Sequence, residues 1–248
     1  MRNIAILLSV LMLLVAGQAR AEFMLNELMG FNAGGAANPS ISFVACTHST
    51  SALQNYTFTA ASTGAAGATR RTLIGIAADD NATVHTISSV TVAGSAATEL
   101  TDYGAVAGNT NVGFYIIDNP SGTTADIVVN LSEVMTGGSA SICVWAVNDL
   151  TSSAPVATTT LASSNSSAIT LSANVSANGV AAGMCASTST AQTTTWAGLT
   201  ERADIDATVG MSYSGADYVN GATAQAPLAI TCDYTGTSFA VGTVVSLR

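Results

Sequence analysis

The chain has 248 residues, 48% of them hydrophobic and only 8% charged, with 22 Gly and 4 Pro. That length fits one large all-β domain or two small ones, and it can bury a substantial core without cross-links. Net charge is −9 and there is no lysine, a balance that repels phosphate backbones and argues against nucleic-acid binding. The charged fraction is about a third of the usual quarter, so the soluble face must be built from Ser, Thr, Asn, Gly and Ala. Such a face suits an exported or assembled protein.

Met1-Arg2-Asn3 gives a positive start, Ile4 to Gly17 is apolar, and Gln18-Ala19-Arg20-Ala21 ends on small residues. This is the three-part pattern of a secretory signal peptide. The apolar run, about 14 residues, is short against the roughly 20 that span a membrane. Residues 1–21 are therefore expected to be a cleaved leader, and the remainder would carry a net charge of −11. Two alternatives stay open: initiation at Met24, or an uncleaved hydrophobic helix that anchors the chain to a membrane or particle. Membrane contact is expected only through this segment.

Residues 22–39 read as an arm. Met24 to Phe31 suits one or two helical turns, and Asn32 to Pro39 (NAGGAANP) a flexible joint. From residue 40 to 248 the pattern is uniform, with short Val/Ile/Thr/aromatic runs separated by Gly, Asn, Ser and Asp clusters. The predicted strands are Ile41–Thr47, Tyr56–Ala60, Thr72–Ala78, Ile87–Val92, Val112–Ile117 and Ile127–Leu131. Then come Ser141–Val147, Ile169–Ala173, Val180–Ala186, Thr208–Tyr213, Leu228–Cys232 and Val241–Leu247. In Ser88-Ser89-Val90-Thr91-Val92 the valines share one face, as a half-buried strand requires. Ile142 to Val147 is apolar on both faces and is expected at the centre of a sheet. Asn119-Pro120-Ser121-Gly122 fits a tight turn. Leu150 to Ser167 reads as a long surface loop or a weakly marked strand rather than a domain linker. The expected fold is all-β: a two-sheet antiparallel β-sandwich, either jelly-roll or immunoglobulin-like.

Chemistry-bearing residues are few. Cys46, Cys143, Cys185 and Cys232 each fall in a predicted strand; an even count behind a leader allows one or two disulfides, and buried apolar thiols are the alternative. His48 and His85 lie outside any hydrolase or metalloprotease motif, so no catalytic residue, resident cofactor or metal is expected and the chain is read as a non-enzyme. Asp79-Asp80-Asn81 and Asp204-Ile205-Asp206 could hold structural calcium through hard oxygens, or simply serve turns. Trp145 reads as core. Trp196, with Tyr103 and Tyr218, is the candidate contact surface for a sugar ring or partner; its alternative is to close one end of the sandwich.

The order of Arg70–Ile76, Thr86–Gly94, Asn119–Thr123, Ala186–Glu201 and the ending Thr243–Arg248 resembles uncharacterised β-sandwich proteins of phages and prophages, mainly of alphaproteobacteria. That resemblance implies a virion component such as a head (capsid) decoration, fibre or tail-associated protein. The Gly-rich stretch Met29–Gly35 matches the arm of that group, whereas the secretory-type leader departs from it. The expected function is thus a structural protein of a virion or other extracellular assembly, oligomeric and in contact with neighbouring proteins. The alternative is a secreted or cell-surface carbohydrate-binding module with glycan partners.

Overall fold

The computed structural model describes residues 37–80, 83–105, 109–119, 121–206 and 210–248. The expected leader (1–21) and nearly all of the arm (22–39) lie outside these, as do Asn81 and Pro120. Asn38 to Arg248 form one compact unit. Among the described residues there is no helix. The antiparallel β-sandwich expected from the sequence is present, with three sheets where two were expected.

The middle sheet has the order β1-β9-β3-β7-β6, built from β1 (Ser40–Ser49), β3 (Arg71–Asp80), β6 (Thr98–Ala105), β7 (Thr110–Asp118) and β9 (Gly138–Asn148). An outer sheet, β2-β8-β4-β5, uses β2 (Asn55–Ser62), β4 (Ile87–Val92), β5 (Ser95–Ala96) and β8 (Thr124–Leu131). The third sheet, β10-β15-β11-β14-β13 with β12 against β15, comprises β10 (Ala157–Val175), β11 (Val180–Ser187), β12 (Thr194–Ala197), β13 (Thr200–Asp206), β14 (Ser212–Val219) and β15 (Gln225–Leu247).

Two-residue periodicity explains the layering. Ile74, Ile76, Ile142 and Val144 of the middle sheet point toward Tyr56, Ile127 and Val129 of the outer sheet. Their neighbours Leu73, Cys143, Trp145 and Val147 point the other way, toward Val180, Met184, Tyr213 and Val245. β9 is buried on both faces, as its unbroken apolar sequence predicts. It is tied to β1 by a Cys46–Cys143 disulfide between register partners, Cα atoms 4.1 Å apart.

The third sheet doubles back. The front of β10 pairs Ala157 with Ser246 through Ser163 with Ala240, and the rear pairs Ala168 with Asp233 through Val175 with Gln225. Between these stretches the register shifts and the two-stranded ribbon bends. Thr159 Oγ1 donates to the Ser172 carbonyl (2.6 Å) and Ser246 Oγ to the Asn174 carbonyl (2.7 Å), joining the halves. Ile169, Leu171, Ala173, Ile230 and Cys232 then pack on Ala181, Cys185, Ala216 and Val244, enclosing a third core.

Several sequence expectations change here. Of the two alternatives for 150–167, loop or weakly marked strand, residues 157–167 take the second and belong to β10. The runs 228–232 and 241–247 are one continuous strand, and the run expected at 208–213 is strand at Ser212–Val219. Strands β5, β6, β12 and β13 have no counterpart in the predicted set.

Candidate functional site

The described Asp, His and Arg side chains that are buried gather in three places. The densest is one end of the middle sheet, where β3 ends in Asp79 and Asp80, 3% and 1% exposed. Asp80 Oδ2 meets His85 Nε2 at 2.7 Å, and Thr83 Oγ1 donates to the same oxygen at 3.3 Å. Its Oδ1 accepts from Thr136 N–H (3.1 Å), Thr136 Oγ1 (3.0 Å) and Gly137 N–H (3.0 Å). Burial alone would raise the Asp80 carboxyl. Hydrogen bonds from His85, Thr136 and Gly137, with the imidazolium charge, outweigh it and bring the pKa down to about 2. Asp79 differs. Burial dominates, opposed by one hydrogen bond from Thr110 Oγ1 (2.9 Å) and reinforced by Asp80, and its pKa is pushed up to about 7. Beside them Asn111 Nδ2 bridges the His85 carbonyl (2.9 Å) and Asp102 Oδ1 (2.7 Å), while Asp102 Oδ2 accepts from Ile87 N–H at 2.9 Å.

An imidazole on a carboxylate is half of a nucleophile-activating triad, so the other ring nitrogen decides what the pair can do. His85 Nδ1 is buried with no hydrogen-bond partner among the described residues. Thr83 Oγ1 sits on Nε2 at 3.3 Å, the nitrogen already engaged by Asp80. The arrangement fastens residues 83–85 and 136–137 to the end of β3. It also makes a pH-dependent contribution to stability. A carboxyl whose folded pKa is raised favours the fold fully below its unfolded value of 3.8, and loses that contribution as pH rises through about 7. Asp79→Asn is therefore expected to flatten the decline in stability between pH 4 and 8 by on the order of a few kcal/mol. Urea titrations at both pH values check this, and equal slopes in variant and wild type would refute it.

The second place is Arg70, 1% exposed. Its guanidinium donates to the carbonyls of Asn119, Gly64 (2.8 Å), Ala65 (3.2 Å), Gly122 (2.9 Å) and Ser121 (3.1 Å). Burial lowers its pKa, while these carbonyls supply the acceptors a buried cation needs. The third is Asp217. It accepts from Trp145 Nε1 (3.1 Å) and from Arg202 Nε (2.9 Å), linking the indole at the centre of the middle sheet to an arginine at the surface.

The residues expected to touch a ligand are elsewhere. Trp196 is 7% exposed; its indole donates to Ser214 Oγ (2.7 Å) and its ring lies over Gly183, where a Cβ would come within 2.8 Å of the ring carbons. The exposed platform needed to stack on a sugar is therefore absent at Trp196, because Thr194 and Trp196 face inward while Thr195 and Ala197 face out. Tyr103 is half-buried against the core between the middle and third sheets. Tyr218 borders the core inside the third sheet, its hydroxyl 3.3 Å from Asn220 Oδ1. The three side chains do not form one aromatic surface. Asp204, on β13, accepts from Thr194 N–H at 3.0 Å. Among the described residues no three His, Cys, Asp or Glu converge as a metal site. A shallow cavity of about 270 Å³ lies where β5, β6 and the end of β7 meet, lined by Ser95, Ala96, Thr98, Ile116, Ile117, Asp118 and Ser153. Its one charged group, Asp118, is paired with Arg71 at 2.7 Å.

No family model matches the sequence, and no curated protein does. Among solved structures, the chain aligns with the PBSX exported protein XepA over 84% of this chain and 86% of that one, with 10% identity and a TM-score of 0.21. It also aligns with infectious bursal disease virus, Gx strain, over 86% of this chain and 40% of that one, with 9% identity and a TM-score of 0.17. Scores this low carry no argument about function.

Proposed function

We propose that this chain is a non-catalytic structural protein that assembles with its own copies and with neighbouring proteins of a phage virion or other extracellular assembly. The observation that carries this reading is the open edge of the third sheet. Among the described residues β10 has a strand partner on one side only; it runs for 19 residues and contains neither a charged residue nor proline. Free-standing proteins protect such edges with lysine, proline or brevity, because unpaired N–H and C=O groups recruit further strands. β10 has none of these defences, and its outward side chains, among them Thr158, Thr170 and Ser172, are small enough for close approach of a neighbour. An edge of this kind suits strand addition. The layout shared with phage and prophage β-sandwich proteins supports a virion as the assembly, with capsid decoration or a fibre as the role.

Sedimentation velocity of the purified chain is expected to find a stable multimer. The paired substitutions Thr158→Lys and Thr170→Lys are expected to weaken it about tenfold or more by placing like charges on the edge. A wild-type chain that stays monomeric at every concentration removes the proposal. Capsid, portal and tail genes beside its own gene would fix the kind of assembly.

A further inference from the structure

Cys185 on β11 and Cys232 on β15 both lie fully buried in the core enclosed by the doubled-back sheet. Three contacts bring them to one spot. A Cβ at Gly242 would meet Cys185 Sγ at 3.1 Å, and the same point is 3.2 Å from Leu171 Cδ1 and 3.5 Å from Ile169 Cδ1. The Cys185 sulfur therefore reaches the side chains of the rear of β10. Ile169 is in turn the register partner of Cys232, and directly opposed side chains have Cβ atoms about 5 Å apart. The two thiols thus approach from opposite layers. Burial first, then hydrogen bonding and charge repulsion from Cys185, push the Cys232 thiol well above its ordinary value, and Tyr234 lies against both sulfurs.

We propose that Cys185 and Cys232 are the site of a second disulfide, which staples the two layers of the third sheet to each other. The oxidant is a low-molecular-weight disulfide. One cysteine, as thiolate, attacks it, forming a mixed disulfide and expelling one small thiolate, which takes up the proton the cysteine lost. The second cysteine thiolate attacks the protein sulfur of that mixed disulfide and expels the other small thiolate, likewise protonated. Two protein thiols are oxidised to one bridge and one small disulfide is reduced to two thiols. Because Cys232 is sealed from solvent and held protonated in the closed sheet, the exchange runs while the chain is folding.

The test is to reduce and unfold the full chain, then refold it in mixed oxidised and reduced glutathione. Free thiols are capped with N-ethylmaleimide and the unreduced digest is mapped by mass spectrometry. The expected result is a Cys185–Cys232 peptide pair beside Cys46–Cys143, with no maleimide on any cysteine. The thermal midpoint should lie about 10 °C above that of material refolded with Cys185 and Cys232 reduced. Maleimide on both Cys185 and Cys232, or linkage of either to Cys46 or Cys143, overturns the proposal. The double variant Cys46→Ala, Cys143→Ala isolates the pair: after refolding it should have lost two hydrogens, and an unchanged mass would count against the bridge. If that variant does not fold, the wild-type map remains decisive.

Discussion

Arg70→Ala is expected to lower the unfolding free energy by at least about 4 kcal/mol, read as a fall in the urea midpoint at constant slope. The side chain is fully enclosed, so its loss is more than the loss of one contact. Five carbonyls, from Gly64, Ala65, Asn119, Ser121 and Gly122, converge on one guanidinium. Each would be left with fewer donors where water cannot fully replace them, and each orphaned acceptor costs about 1 to 3 kcal/mol. These carbonyls belong to the two connections that lead into β3 and into β8, so the variant loosens both at once. Arg70→Lys separates charge from geometry: an ammonium keeps the charge but has three donors and no planar fork. It should recover less than half of the loss. A penalty below about 1 kcal/mol for the alanine variant would mean that the two loops hold themselves in place.

Gly138→Ala is expected to be comparably severe, costing about 4 kcal/mol or abolishing soluble expression. Gly138 opens β9 at φ +124°, a conformation that L side chains rarely adopt. A Cβ there would sit 1.9 Å from the Asp79 carbonyl oxygen and 2.8 Å from its carbon. The obstacle is backbone at the end of the central strand β3, so it cannot swing away, and Asp79 and Asp80 would be displaced with it. Gly94 is the control. It also has a positive φ, +80°, but nothing lies within 4 Å of its would-be Cβ. Gly94→Ala should therefore show only the backbone preference, about 1 to 2 kcal/mol. Equal losses at the two positions would place the whole effect in conformation and none in the contact.

Alternation of apolar and hydroxyl side chains made the interior strands legible. Ile87–Val92 was delimited from sequence alone, and the unbroken apolar run in β9 correctly marked a strand covered on both sides. What alternation does not specify is which layer does the covering. Two sheets and three sheets leave the same in-and-out pattern on β3, so the expected two-sheet sandwich became a stack with the middle sheet clothed on both faces. Strands at edges were missed for a related reason. β6 (TELTDYGA) and β13 (TERADID) carry charge and few large apolar residues, and Ala157–Ala162 on β10 offers little contrast between its faces. The site residues were harder to see. Trp196 stands among threonines, yet period two assigns it to the inside, a signal its polar neighbours disguised. Arg70 left one faint trace: a basic residue directly before an apolar strand in a chain almost without basic residues. Its carbonyl partners come from turns about fifty residues away, which no local pattern encodes.

The order of the sheets along the chain has a consequence for biosynthesis. Every described strand of the middle and outer sheets lies between Ser40 and Asn148, and every described strand of the third between Ala157 and Leu247. A nascent chain emerging from the ribosome can thus close its first core while Leu73, Phe114 and Trp145 still face water. Their cover includes β15, which threads between β10 and β11 and is synthesised after every other described strand. Until then the half-made molecule presents a broad greasy wall, and its survival depends on chaperones, or on the speed with which translation finishes.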